Sequence, residues 1–475
     1  LGLRLRERWL QDGGYREVLK VAVPLILSTG SWSIQHFVDR MFLTWYSREA
    51  LAAALPAGML SFTFASFFMG TASYVNTFVA QYTGADRPQQ VGRSVWQGVY
   101  FGLLAGVFMM GLYPFAAQIF EWVGHDPEVR ALEATYFQIM CIGGFNIAGA
   151  ALSAFFTGRG KTMTVMWVNF AVTALNIVLD YAWIFGHWGL PRWGIEGAAW
   201  ATVIARVFGT AVFVVLILRP EHRKRFNTLG GWRPNPALFR RLMRFGLPNG
   251  VQFMLEILAF SMFIMLVGRL GAVELAATNI ASNINTLAFL PMLGVGIAVS
   301  TLVGRHLGED RPDLAEKSTW SAFHLALAYM GMMAAGYVLL PHLFLLPFAS
   351  GADAERFAPV WQVCVALLRF VAVYSLFDGM YIVFSAGVKG AGDTRFVMKV
   401  SLLLSWTLMV IPVYLAVTYG RSLYLAWTFT SAYIISIGIV FLFRFRSGKW
   451  KSMRVIETEG EFEAIVAQDS EAPVV

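Results

Sequence analysis

Charge is scarce in this sequence. Asp, Glu, Lys and Arg make up 14% of its 475 residues, against about 25% in soluble globular domains. In their place, 57% of the residues are hydrophobic and the mean hydropathy is +0.58. A water-soluble core with a polar coat is thereby excluded. Cysteine is scarcer still, with only Cys141 and Cys364. Both fall inside apolar stretches without paired spacing, which excludes a disulfide framework and a cysteine metal site and leaves them as packing residues. The short alternating segments of a membrane β-barrel are missing as well. A nucleic-acid footprint is also lacking: the formal net charge is +8, but the basic residues lie between apolar segments and near the ends, where membrane topology accounts for them.

What the chain has in abundance is apolar runs of 18 or more residues, the length that a hydrocarbon layer about 30 Å thick demands of a helix rising about 1.5 Å per residue. In the first half they lie near 18–46, 50–81, 94–120, 131–157, 162–187 and 197–218, and in the second near 243–268, 275–304, 319–347, 358–386, 398–418 and 423–443. The expected fold is an all-α integral membrane protein with twelve transmembrane helices. Pro56, Pro291 and Pro412 sit inside these runs, where neighbouring helices of a bundle tolerate them.

Basic loops resist translocation. On the twelve-span reading, 28 Lys and Arg fall on the side of both termini and six (Arg48, Arg130, Arg192, Arg269, Arg356 and Arg421) on the other, with Arg40, Arg206 and Arg369 inside spans. Both termini are therefore expected in the cytoplasm of a cell with this protein in its inner membrane. The charge around Arg4, Arg6 and Arg8, followed by a span longer than a signal core, speaks against a cleavable signal. The expected organisation is an N-terminal six-helix lobe over 1–218, a basic cytoplasmic linker over 219–242, a C-terminal six-helix lobe over 243–446, and a tail over 447–475 whose acidic run, with Glu457, Glu459, Glu461 and Glu463, reads as disordered.

The two halves are copies. Shifting the sequence by 224 positions aligns 24–96 with 248–320 without gaps, with 16 of 73 positions identical. Pro24 pairs with Pro248, Leu51-Ala52-Ala53 with Leu275-Ala276-Ala277, Gly70 with Gly294, Trp96 with Trp320, and Gly84-x-Asp86-Arg87-Pro88 with Gly308-x-Asp310-Arg311-Pro312. Further on, Gly158-Arg159-Gly160-Lys161-Thr162 corresponds to Gly390-Ala391-Gly392-Asp393-Thr394. An even number of spans per half makes the repeats parallel, related by an axis along the membrane normal, an arrangement suited to rocking about a central cavity.

Four acids fall within the spans: Asp39, Asp180, Glu256 and Asp378. A carboxylate in hydrocarbon costs at least about 2.5 kcal/mol, so each is a candidate functional group. Asn176 precedes Asp180, and Tyr374 precedes Asp378, by four residues, which puts oxygen ligands on one helix face and suits a hard cation or a proton. For Asp180 the competing reading is solvation at a helix end. Glu256 stands mid-span in QFMLEILAFSMF with no cation nearby in sequence. Gln35 and His36 precede Asp39 by four and three residues, giving α-helical spacing for a polar strip. Under the 224-residue shift Asp39 meets Phe263 and Glu256 meets Trp32, so each half carries its own polar site in a shared scaffold. The 20 Met and 39 Phe supply adaptable apolar surface, most of it for lipid and helix packing.

The stretches VPLILSTGSWSIQHFVDRMFLTWY, FGLPNGVQFMLEILAF, TNIASNINTLAFLPMLGVGIAVSTLVGRHLGE and YSLFDGMYIVFSAGVKGAGDT resemble the multidrug and toxic compound extrusion (MATE) family, especially its NorM-like branch, over essentially all twelve helices. The resemblance implies a V-shaped pair of six-helix lobes and antiport of cationic or amphiphilic drugs against Na⁺ or H⁺, with no cofactor. By the same resemblance Asp39, Asn176, Asp180 and Thr202 match N-lobe cation ligands. Glu256, Tyr374 and Asp378 match a C-lobe cation site, with Na⁺ as the metal it would hold, and Asp39, Glu256 and Asp378 would also meet substrate. The implied partners are small organic cations or amphiphiles and the bilayer, with no nucleic acid and the chain acting as a monomer. A lipid-linked precursor flippase of the same superfamily is the alternative; it would be expected to carry several intramembrane arginines, whereas here the inventory is mostly acidic. An intramembrane aspartyl protease is set aside, because the GAGD at Gly390 to Asp393 falls in a turn repeated as GRGKT in the first half. No enzyme activity is expected.

Overall fold

A computed structural model of the chain describes residues 8–123, 125–349, 354–458 and 460. Among them there is no β-strand. The first half comprises α1 (Tyr15–Tyr46), α2 (Arg48–Ser73), α3 (Val75–Gly84), α4 (Pro88–Leu112), α5 (Ala116–Val123), α6 (Pro127–Ile142), α7 (Ala148–Thr157), α8 (Thr162–Phe185) and α9 (Ile195–Ile217). The short α10 (Pro220–Phe226) leads into α11 (Pro236–Val267), α12 (Ala272–Gly308), α13 (Pro312–Leu339), α14 (Pro341–Ala349), α15 (Ala354–Ala391), α16 (Thr394–Leu404), α17 (Ile411–Thr418) and α18 (Leu423–Arg446).

Eleven helical stretches among the described residues are long and apolar enough to cross a membrane. The expected first crossing, α1, is not one of them although it has 32 residues. From Ser28 on it carries Ser28, Thr29, Ser31, Ser33, Gln35, His36, Asp39 and Arg40, which lower its hydropathy below that of the other crossings. It packs against α8 of its own half and α12 of the other, while Trp32, Ile34, Phe37 and Trp45 stay exposed along it. Pro24, Pro56, Pro248 and Pro291 sit inside unbroken helices. Pro412 follows a π-helical stretch, Ser405–Val410, that absorbs the missing donor. Cys141 and Cys364 are free and buried.

The repeat is written into the seam between the two lobes. α2 packs on α11 and, by the same operation, α12 packs on α1. The duplicated Gly70 and Gly294 stand at these crossings. A Cβ on Gly70 would lie 2.9 Å from Gly250 Cα, and one on Gly294 would lie 2.6 Å from Ile26 N. Only glycine permits such an approach. The duplicated GxDRP turns close one end of the seam. Asp86 (φ 52°) and Asp310 (φ 58°) both adopt left-handed backbone, Arg87 N bonds Tyr82 O at 2.9 Å and Arg311 N bonds His306 O at 2.8 Å. Pro88 and Pro312 then open the next helices. Polar bonds cross the seam here: Asn76 Nδ2 donates to Thr301 Oγ1 at 3.0 Å, Gln81 Nε2 to Gly390 O at 3.0 Å and Tyr74 Oη to Lys389 O at 2.7 Å. Beyond Thr29, whose hydroxyl bonds Leu290 O at 3.0 Å, α1 turns its Phe42 ring to Tyr181 and Phe185 of its own half.

Candidate functional site

In the N-terminal lobe, α8 places Asn176 and Asp180 one turn apart on its inward face, and both are fully buried. Thr202 of α9 faces them, with Asn176 Nδ2 donating to Thr202 Oγ1 at 3.5 Å. Asp39 is half-buried on α1, the helix packed on α8, within electrostatic range of Asp180. What distinguishes this cluster is its unspent acceptors. Both carboxylate oxygens of Asp180, Asn176 Oδ1, Thr173 Oγ1 and Asp39 Oδ1 are buried without a hydrogen-bond partner. A buried carboxylate in that condition has to be neutralised by a proton or a bound cation, and an array of oxygens is the donor set a hard cation requires. Tyr136 of α6 lies within electrostatic range of Asp39, Asp180 and Arg206.

The C-terminal lobe builds a different arrangement. Glu256 is half-buried on α11. Gln252, 2% exposed and one turn earlier, donates through Nε2 to Glu256 Oε1 at 2.8 Å and to Tyr381 Oη at 3.2 Å. Tyr381 of α15 donates its hydroxyl to the same carboxylate oxygen. Two donors thus converge on one oxygen and fix the orientation of the carboxyl group. Gln252 Oε1 is left buried and unpartnered beside it. Asp378 and Tyr374, both buried on α15, complete the group, with Asp378 in electrostatic range of Glu256 and Tyr374 in range of Asp378. Lys389 contributes a positive charge in range of Glu256.

The structure thus collects Asp39, Asn176, Asp180 and Thr202 in one lobe and Glu256, Tyr374 and Asp378 in the other. Thr173, Tyr136, Gln252, Tyr381 and Lys389 were missed by sequence reasoning. Gln252 carried a usable signal, since it precedes Glu256 by the same four residues that join Asn176 to Asp180. Tyr136 had none, because it comes from a distant helix. Lys389 falls just past the expected span 358–386 and lies in the last turn of α15. Asp393 of the GAGD stretch is occupied at the end of the bundle by Arg444, Nη2 to Oδ2 2.5 Å.

Comparison with known proteins is consistent along the chain. The MatE family model matches residues 24–182 and 248–415, one segment in each half. A probable multidrug resistance protein NorM of Brucella suis biovar 1 (strain 1330) is 28% identical over 392 residues, covering 82% of this chain and 83% of that protein. A protein of the same description from Thermotoga maritima is 25% identical over 450 residues, covering 94% and 95%. Among solved structures, a multidrug resistance MATE family transporter of the MOP superfamily in an outward-facing conformation superimposes with a TM-score of 0.84 at 18% identity, covering 94% of this chain and 98% of that one.

Proposed function

Since this chain belongs to the MatE family, we propose that it is a secondary active exporter of cationic or amphiphilic drugs and toxic organic compounds, exchanging them for Na⁺ or H⁺ by alternating access. The units that rock are the lobes 1–218 and 243–446, joined by the basic linker 219–242, in an inner membrane with both termini cytoplasmic. The chain works as a monomer on this reading. The observation that carries the proposal is the pair of buried, unpartnered oxygens on Asp180, with further orphan oxygens on Asn176, Thr173 and Asp39. A permanently empty site of this kind would be strongly destabilising, whereas one that alternates between a coupling ion and a cationic substrate is occupied in each working state. Glu256, Asp378 and Tyr374 form a second, differently built site, held by Gln252 and Tyr381.

Reconstitution in liposomes tests this. Uptake or release of a cationic dye is followed under imposed Na⁺ and H⁺ gradients for the wild type and for Asp39→Asn, Asp180→Asn, Glu256→Gln and Asp378→Asn. Transport is expected to follow one gradient and to fall at least about tenfold in the variants of the operative site, the loss expected when a buried charge interaction worth more than about 1.4 kcal/mol is removed. Dye movement indifferent to both gradients, and equal in all variants, would overturn the coupling.

A further inference from the structure

The tail expected to be disordered over 447–475 is instead packed on the protein through residues 447–458, while Glu459, Glu461 and Glu463 lie outside the described residues. The chain turns at Gly448 (φ 69°) and runs over the closed end of the seam, touching first one lobe and then the other. Trp450 is fully buried, stacked on Phe445 of α18 at 4.8 Å between ring centroids, and its indole N–H donates to Phe445 O at 2.8 Å. Lys451 pairs with Glu316 of α13 at 2.5 Å, and Arg454 with Asp310 of the second GxDRP turn at 2.8 Å. This half of the segment belongs to the C-terminal lobe.

From Val455 on, the contacts reach the first half as well, while Val455 also lies against Gly392 of the second. Val455 is 1% exposed in the hydrophobic core that holds Tyr82, Phe155 and Phe226 of the first half and its linker. Its backbone N–H donates to Gln81 Oε1 at 2.8 Å. The Gln81 amide is fully buried and its other end bonds Gly390 O, so it is shared between both lobes and the tail. Glu457 accepts from Tyr82 Oη at 2.7 Å, pairs with Arg241 at 2.6 Å, and its carbonyl accepts from Arg87 Nη1 at 3.0 Å. Arg241 stands in the first turns of α11, so the second anchor ties α3, the first GxDRP turn and the start of α11 together.

We propose that residues 450–457 are an inter-lobe strap that stabilises the state closed at this end, and that opening this end requires its second anchor, at Val455 and Glu457, to let go. The asymmetry of the anchors determines which one yields. Trp450 is a large stacked ring whose N–H is satisfied inside one lobe, whereas the second anchor is one valine and a set of polar bonds that water can replace. As the lobes part, α3 moves away from α12, and the tail stays with α18. The inference rests on the reading that the lobes separate at this end during transport.

Spin labels report the separation directly. Gln89→Cys and Asp313→Cys occupy equivalent exposed positions in the two repeats, one in the first turn of α4 and one in the first turn of α13, and both natural cysteines are buried. In nanodiscs the wild type is expected to show a dominant short inter-label distance. Glu457→Gln, and separately a chain ending at Ser452, are expected to raise the ratio of long-distance to short-distance populations about fivefold, the low end of what one lost charged contact does to a two-state balance. Lys449→Gln, which removes an exposed tail charge, should leave the distribution unchanged. If ethidium with a change of Na⁺ or pH separates the lobes in the wild type, but both strap variants keep the wild-type distribution, the strap is refuted while alternating access stands. An equal shift in Lys449→Gln also refutes it. If no sample separates under any condition, alternating access at this end fails and the strap fails with it.

Discussion

A single carboxylate shows how much of the chemistry is decided by its neighbours. Glu256 is oriented by Gln252 from its own helix and Tyr381 from α15, and hydrogen bonds to charged groups are worth about 1.5–3 kcal/mol. Tyr381→Phe removes one donor while keeping the ring that packs near Phe441. It is expected to shift the apparent affinity for the coupling ion roughly tenfold, weakening it for Na⁺ and strengthening it for H⁺, with the maximal rate of dye transport changed less. An unaltered ion affinity in liposome assays would reduce the tyrosine to a space-filler. Outside the crossing helices, burial pushes the Glu309 carboxyl up, but the hydrogen bond and charge of His306, together with Arg305, hold it below the usual carboxylate range. A lowered value contributes stability that is fully present above the ordinary range and is lost as the pH falls through the lowered one. Glu309→Gln should therefore flatten the acid limb of thermal stability below about pH 4.5, and an acid limb as steep as that of the wild type would contradict the assignment. The candidate acids were legible in the sequence because a charge inside an apolar run is conspicuous at any position. Their partners were legible only where they recur on the same helix, as Asn176 does before Asp180; Tyr136 and Tyr381 are brought in by packing, which leaves no periodic trace.

Helices in this molecule meet where the repeat says they should, and glycine sets how closely. A Cβ on Gly84 would lie 2.0 Å from Arg305 O, and one on its counterpart Gly308 would lie 2.2 Å from Gln81 O. Helix propensity alone favours alanine over glycine by about 1 kcal/mol, but the atoms in the way are backbone carbonyls that cannot rotate aside, and overpacking costs about 1–3 kcal/mol. The clash is the larger effect. Gly84→Ala and Gly308→Ala are each expected to lower thermal stability in detergent and to loosen the closed end of the seam. Gly111→Ala on α4, where nothing lies within 4 Å of the new methyl, is the opposite case and should be neutral or mildly stabilising. A destabilised Gly111→Ala, or unchanged Gly84→Ala and Gly308→Ala proteins, would remove the steric account. Pattern alone located every crossing helix to within a few residues at its core. It did not find their overhangs, such as the extension of α11 back to Pro236 and of α15 on to Ala391, because polar turns outside the lipid look like loops in a hydropathy reading.

At the scale of the whole molecule, symmetry and charge bear on orientation together. The GxDRP turns, the basic linker, the strap and the loops at 158–161 and 390–393 all gather at the closed end, while the loop with Trp188, 69% exposed, lies at the end of α8 opposite Thr162. An even count of crossings in each repeat requires this grouping whichever way the protein is inserted, so the fold by itself does not choose a direction. The basic residues, 28 on the closed end's side against six, support the proposed cytoplasmic placement of that end, because Lys and Arg near helix ends resist translocation. On the proposed orientation a coupling ion would reach Asp180 from the outside. Single-cysteine labelling tests the direction. A membrane-impermeant maleimide is expected to modify Trp188→Cys in intact spheroplasts and Lys224→Cys only in inside-out vesicles. The opposite pattern would put the strap and linker outside, and the ion sites would then have to load from the cytoplasm, against the gradient that is meant to drive export.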